Sequence, residues 1–150
     1  MDEPRTPRGI STLLLIVTGF VAVTAFAGGA ALMAGALSPD LATVLSPPPE
    51  YLEGSPFDSY LVPGLVLALV LGGVHLLAFA GLLRRHRLAL FATAAAGYAA
   101  VIWIVVQMTI IPFSLLQAIY VALGLVEIGL VLLALGLLGP STRPGVTAAR

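Results

Sequence analysis

The stretch "FSLLQAIYVALGLVEIGLVLLALGLL", residues 113–138, decides the fold: it runs for 26 residues with one charged side chain, Glu127. As an α-helix it would extend about 39 Å, beyond the roughly 30 Å of a bilayer's hydrocarbon core. In hydrocarbon a helix is the one open segment that pairs all of its own backbone groups. Three other runs share this character, at about 9–36, 60–83 and 88–111, and the chain is 59% hydrophobic against 9% charged. Its mean hydropathy of +1.08 lies outside what a soluble 150-residue domain tolerates. The alternating ten-residue pattern of barrel strands is absent. These features predict an all-α transmembrane four-helix bundle, up-down-up-down, with spans at about 9–36, 60–83, 88–111 and 113–138. It would form a single domain over 1–150 with short N-terminal and C-terminal tails.

Orientation follows from arginine alone, because the chain has no lysine. Arg5 and Arg8 precede the first span, Arg84, Arg85 and Arg87 join the second to the third, and Arg143 and Arg150 follow the fourth. All seven fall on one side, which the positive-inside rule makes cytoplasmic; with Asp2 and Glu3 that face is +5. The opposite face carries Asp40, Glu50, Glu53 and Asp58, and is −4. The expected location is a bacterial inner membrane, multi-pass, with both termini cytoplasmic and the lipid bilayer as the first partner. Lysine-free, Ala/Gly/Leu/Val/Arg-rich usage points to a high-GC bacterial genome. The N-terminus imitates a secretory signal, with "AFA" at 25–27 or "AGA" at 34–36 as a cleavage site. However, the run from Ile10 to Ala36 is about twice a signal core in length, and a retained helix is expected. With no cysteine, thiol and disulfide chemistry are excluded.

Between the first two spans lies an outer Pro-rich loop, 37–59. Ser38-Pro39-Asp40 has the signature of a helix start, with Ser38 as cap, and a short interfacial helix through Leu45 should stop at Pro47-Pro48-Pro49. "SPFD" at 55–58 repeats that signature and places the start of the second helix near Pro56, which makes Pro63 internal and a source of a kink. Pro112 should open the fourth helix and Gly139-Pro140 should end it, before an unstructured tail. Gly64, Ala68 and Gly72 recur every fourth residue, and Gly19, Gly28, Gly29 and Gly35 thin the first span, as close helix contacts require.

Along the fourth span Gln117, Tyr120, Gly124 and Glu127 share one face. That face should turn inward, since an ionised side chain at mid-depth costs about 2.5–3.5 kcal/mol by insertion scales. Taking Leu61 and Phe113 as equivalent ends, His75 and Glu127 both lie fourteen residues in. On parallel, diagonal helices they would meet as an intramembrane polar pair. Nearer the outer face, Trp103, Gln107, Gln117 and Tyr120 form an outer polar cluster, continued downward by Thr93, Gly97 and Ala100. The expected picture is a polar funnel with a glutamine pair at its mouth and the His75–Glu127 pair at its floor. The duller readings are a glutamine clamp between helices, aromatic anchors, and an ion pair that is structural glue. No metal cluster, nucleotide-binding glycine loop or nucleophile triad is present, so no cofactor or metal, no catalytic residue and no nucleic-acid partner are expected.

The segments "GSPFDSYLVPGLVLALVLGG" and "WIVVQMTIIPFSLLQAIYVALGL" resemble a widespread family of small bacterial four-span membrane proteins. The resemblance is carried by Ser55, Pro56, Phe57, Tyr60, Pro63, Gly64, Trp103, Gln107 and Gln117 and covers most of the chain. That family has no assigned activity, so the resemblance implies a fold and no functional residue. The expected function is a non-enzymatic binding or accessory subunit, in a homo-oligomer or larger membrane complex. The alternative is a small oligomeric transporter or proton-coupled carrier using Glu127 and His75.

Overall fold

In a computed structural model that describes residues 7–138, four long helices occupy Arg8–Leu37, Leu61–Leu83, Ala89–Met108 and Leu115–Ala134. Each is long and apolar enough to cross a membrane. A short helix, Pro39–Leu45, and a 3-10 turn, Pro49–Leu52, lie in the first loop, and no strand occurs among the described residues. The fold is therefore the all-α four-helix bundle that the apolar runs predict. Both chain tails, with Arg5, Arg143, Arg150, Gly139 and Pro140, lie outside the described residues. Each long helix packs along its neighbour in sequence and the fourth returns against the first, which leaves the second and fourth on a diagonal with no backbone contact between them.

The helix ends differ from the sequence expectation in instructive ways. Ser38 separates the first two helices because a residue before proline avoids the α region, and it is extended (φ −137°, ψ 117°). Its hydroxyl makes no cap bond; its backbone carbonyl instead accepts from Ala42 N–H at 2.9 Å. Ser55 does not open the second helix. It closes a local turn, accepting from Phe57 N–H at 3.3 Å, and the helix begins at Leu61. Pro63 thus sits in the first turn, where the N–H it lacks would have had no partner, and it need not kink anything. The irregularity comes one turn later, where Leu67–Gly72 is a π segment and Gly73 N–H reaches back five residues to the Ala68 carbonyl.

Pro112 does not open the fourth helix either. Ser114 does, through a reciprocal box: its backbone N–H donates to Gln117 Oε1 at 2.9 Å and its Oγ accepts from Gln117 N–H at 3.4 Å. At the other end the helix stops before Gly139, at Ala134. There Gly136, at φ 73°, closes a Schellman turn in which Leu137 N–H donates to the Leu132 carbonyl at 3.0 Å. The second helix ends on the same motif, His86 N–H to the Gly81 carbonyl at 2.9 Å, but with Arg85 rather than glycine in the left-handed position, at φ 50°.

Two glycine crossings hold the bundle tight. A Cβ added at Gly29 would fall 2.6 Å from the Gly64 carbonyl oxygen, and one at Gly64 would fall 2.8 Å from that of Gly29. Gly97 and Gly124 stand in the same relation across the third and fourth helices, 2.8 Å each way. Away from these crossings the outward faces are aliphatic and aromatic all round, among them Phe20, Leu69, Leu77, Phe91, Ile102 and Leu116. Such a surface suits hydrocarbon rather than water. At the loop end, the buried Tyr60 hydroxyl donates to the Pro48 carbonyl at 2.8 Å and pins the Pro-rich segment to the start of the second helix. Burial, with help from Tyr51 and Glu50, pushes the Tyr60 phenol above its ordinary value of 10.0.

Three outcomes are expected from thermal or denaturant unfolding in detergent. Gly97→Ala lowers stability by about 1–3 kcal/mol, because its Cβ meets backbone rather than a side chain that can swing away. Arg85→Gly raises stability by about 1 kcal/mol by removing the left-handed strain of a residue with a Cβ. Because the unfolded chain loses the Tyr60 proton first, stability falls as pH rises through the ordinary tyrosine range, and Tyr60→Phe flattens that alkaline limb.

Candidate functional site

The acid in the fourth helix meets its partner at the centre of the bundle. His75 Nε2 lies 3.2 Å from Glu127 Oε2, and both side chains have no exposed surface. The pair bridges the diagonal between the second and fourth helices, which touch nowhere else along their backbones. Counting from the observed helix starts, His75 is fourteen residues in and Glu127 only twelve. The π segment accounts for part of that difference, since its wider turn takes up an extra residue. Gly97 opens the space beside the acid, since a Cβ there would stand 3.2 Å from Glu127 Cβ.

The protonation of this pair is constrained by its other contact. His75 Nδ1 lies 2.8 Å from the Leu71 carbonyl oxygen, and a carbonyl can only accept, so Nδ1 carries a hydrogen. The Nε2–carboxyl contact is then attractive only if one further proton lies between the two groups. Either the acid is neutral and donates to Nε2, or the imidazolium donates to the carboxylate. Both arrangements are net neutral, which is the state a group without solvent favours. The approach is off the ideal axis: neither Nε2 nor either carboxyl oxygen has a well-aligned hydrogen bond. Nearby buried hydroxyls are occupied elsewhere, Thr18 donating to the Leu14 carbonyl at 2.7 Å and Thr93 to that of Ala89 at 2.9 Å. Among the described residues no three His, Cys, Asp or Glu side chains gather as a metal site would need.

Trp103, Gln107, Gln117 and Tyr120 all line a cavity of about 270 Å³ at the loop end of the bundle. Leu67, Leu71 and Ile104 supply apolar wall, and Pro47 of the loop closes one side. Two expectations about this region are corrected. No hydrogen bond joins the two glutamines among the described residues; Gln117 Oε1 instead accepts from Ser114 N–H. The S-x-x-Q spacing of Ser114 and Gln117 was the legible signal for that cap. Nor does the His75–Glu127 pair form the cavity floor. Leu71 is the lining residue on that side, and it packs with Val21, Ala25 and Ala100 into a buried apolar layer. The cavity's polar side chains are unevenly used: Trp103 Nε1 is buried without a protein acceptor.

Glu127→Gln should cost less than about 1 kcal/mol in detergent unfolding, since the amide can still donate to Nε2. His75→Leu should cost about 3–5 kcal/mol, because it strands a buried acid, and Glu127→Leu on top of it should recover much of the loss. Additive losses in that double variant would show that the two groups are not coupled. The chain matches no family model, no curated protein and no solved structure, so what this site does is argued from its own geometry.

Proposed function

We propose that the protein is an integral membrane protein of a bacterial inner membrane. Its arginine face would be cytoplasmic and its loop face outward. In this reading it works without catalysis, as a binding subunit that holds a small molecule in the loop-face cavity. The observation that carries the reading is the convergence of Trp103, Gln107, Gln117 and Tyr120 on one apolar-walled cavity. Pockets with mostly apolar walls and a few convergent polar groups are the usual form of small-molecule sites. No nucleophile–base arrangement lines it, which favours holding over reacting.

A second reading, a proton-coupled carrier, is supported by the buried His75–Glu127 pair on the far side of Leu71. Ionisable residues at membrane depth are functional candidates by default. A carrier would need the single shared proton to exchange during turnover, whereas a structural pair would keep it.

Native mass spectrometry of protein extracted from host membranes in mild detergent tests the first reading. The wild type should retain a small-molecule adduct, and Gly28→Leu, which projects a side chain toward Leu67 in the cavity wall, should lose it. Identical, adduct-free spectra for both would overturn it. For the carrier, infrared difference spectra between mildly acidic and mildly alkaline pH should contain a carboxyl band that vanishes in Glu127→Gln. A spectrum without that band removes the carrier.

A further inference from the structure

We propose that the loop-face cavity is filled from the membrane rather than from water: the alkyl chain of a bilayer amphiphile on the loop side enters it sideways, past the first turn of the fourth helix. This names a ligand class for the binding reading above and rests on it. Exposure locates the mouth. Among the described residues that line the cavity, Ser114 and Leu116 alone are exposed, and Leu116, at 62%, belongs to the same outward apolar surface as Leu69 and Ile102. The first helix leaves this side open. It contributes Thr24 and Gly28 beside the buried Ala25, and a Cβ added at Gly28 would meet only Leu67 Cδ2 within 4 Å, at 3.4 Å, and nothing of the fourth helix.

The loop side is walled. Pro47 stands there with both neighbours held: Ser46 Oγ is seated where a Cβ at Gly35 would fall, and the Pro48 carbonyl accepts from the Tyr60 hydroxyl at 2.8 Å. Toward the bundle centre the wall is Leu71, ten residues below the Leu61 start of its helix, about 15 Å and so roughly the hydrocarbon depth of one leaflet. At that depth the medium outside Leu116 is acyl chain. The polarity of the lining runs the same way. Gln107, Ser114 and Gln117 sit at the loop-side ends of their helices, and Ser114 N–H and the Gln117 oxygen are spent on each other. Deeper polar groups are the Tyr120 hydroxyl and that of Thr24, which donates to the Phe20 carbonyl at 2.8 Å; Trp103 Nε1 is buried, so its indole offers carbon. No charged side chain lines the site, and an ion would enter without a counter-charge. An alkyl chain gains dispersion contacts against such a wall at no cost in desolvation.

The test places full-length protein in vesicles of phosphatidylethanolamine and phosphatidylglycerol with either of two photoprobes. One is a phosphatidylcholine with a diazirine in mid-chain, and the other a small neutral diazirine diol kept in the water phase by its hydroxyls. Adducts formed on illumination are mapped by peptide mass spectrometry. The lipid probe is expected to mark Leu67 and Trp103, two half-buried residues of the cavity wall, as well as the outward Leu69 and Ile102. Gly28→Leu and Thr24→Leu each fill the wall on the first helix and should lose the Leu67 and Trp103 adducts. Retained adducts on Leu69 and Ile102 show that these variants are folded. Lipid adducts on Leu67 and Trp103 that persist in both variants overturn the proposal, because they then come from outside the cavity. Marking of those two residues by the diol, alone or as strongly as by the lipid, overturns entry from the membrane and leaves the cavity as a binding site reached from water. If neither probe marks them, the binding reading of the cavity falls together with the proposal.

Discussion

A carboxyl and an imidazole without any access to solvent must answer each other, and in this bundle they do so across the diagonal from the second helix to the fourth. Those helices share no backbone contact, so side chains alone join them, the pair together with the apolar packing around Leu71. Removing either partner would leave a buried polar group whose hydration is lost and not replaced, a larger effect than the net worth of the contact itself. The same constraint explains the second hydrogen bond. With Nδ1 committed to the Leu71 carbonyl, the ring cannot rotate to seek another partner, and Glu127 faces a fixed nitrogen.

That fixed geometry depends on a local departure from α-helix. The π segment at Leu67–Gly72 ends just before His75 and contains the residue whose carbonyl receives its Nδ1–H. Its wider turn takes up one residue of the two-residue difference between the helix starts. Glycine does complementary work on the other side of the pair. Gly97 and Gly124 bring the third and fourth helices within backbone reach, so that the third helix shelters Glu127 from the bundle surface. The wider turn and the missing Cβ atoms thus serve one end, a dry polar contact at the bundle centre.

Leu71 touches both polar regions. Its side chain lines the loop-face cavity while its carbonyl holds His75. The two polar regions are therefore separate compartments, divided by the apolar layer of Val21, Ala25, Leu71 and Ala100, rather than one continuous funnel. A molecule seated in the cavity would press on the same turn of helix that orients the imidazole.

By itself the sequence determined the class of fold and the number and order of the long helices. Apolar run length is a property of the chain that no packing alters. The sequence also placed His75 and Glu127 at similar depth on diagonal helices, while their contact came from the packing. Only the tertiary structure decided where the helices begin, because Ser55-Pro56 and Ser114 carry similar local signals and just one of them caps a helix. Likewise, Gln107 and Gln117 read as a clamp, whereas the Gln117 oxygen accepts from the Ser114 backbone N–H. The π segment and the Leu71 barrier had no signature in the residues themselves. They arise from fitting one helix against three others, where the cost of a wider turn is set against the cost of leaving an acid and an imidazole apart.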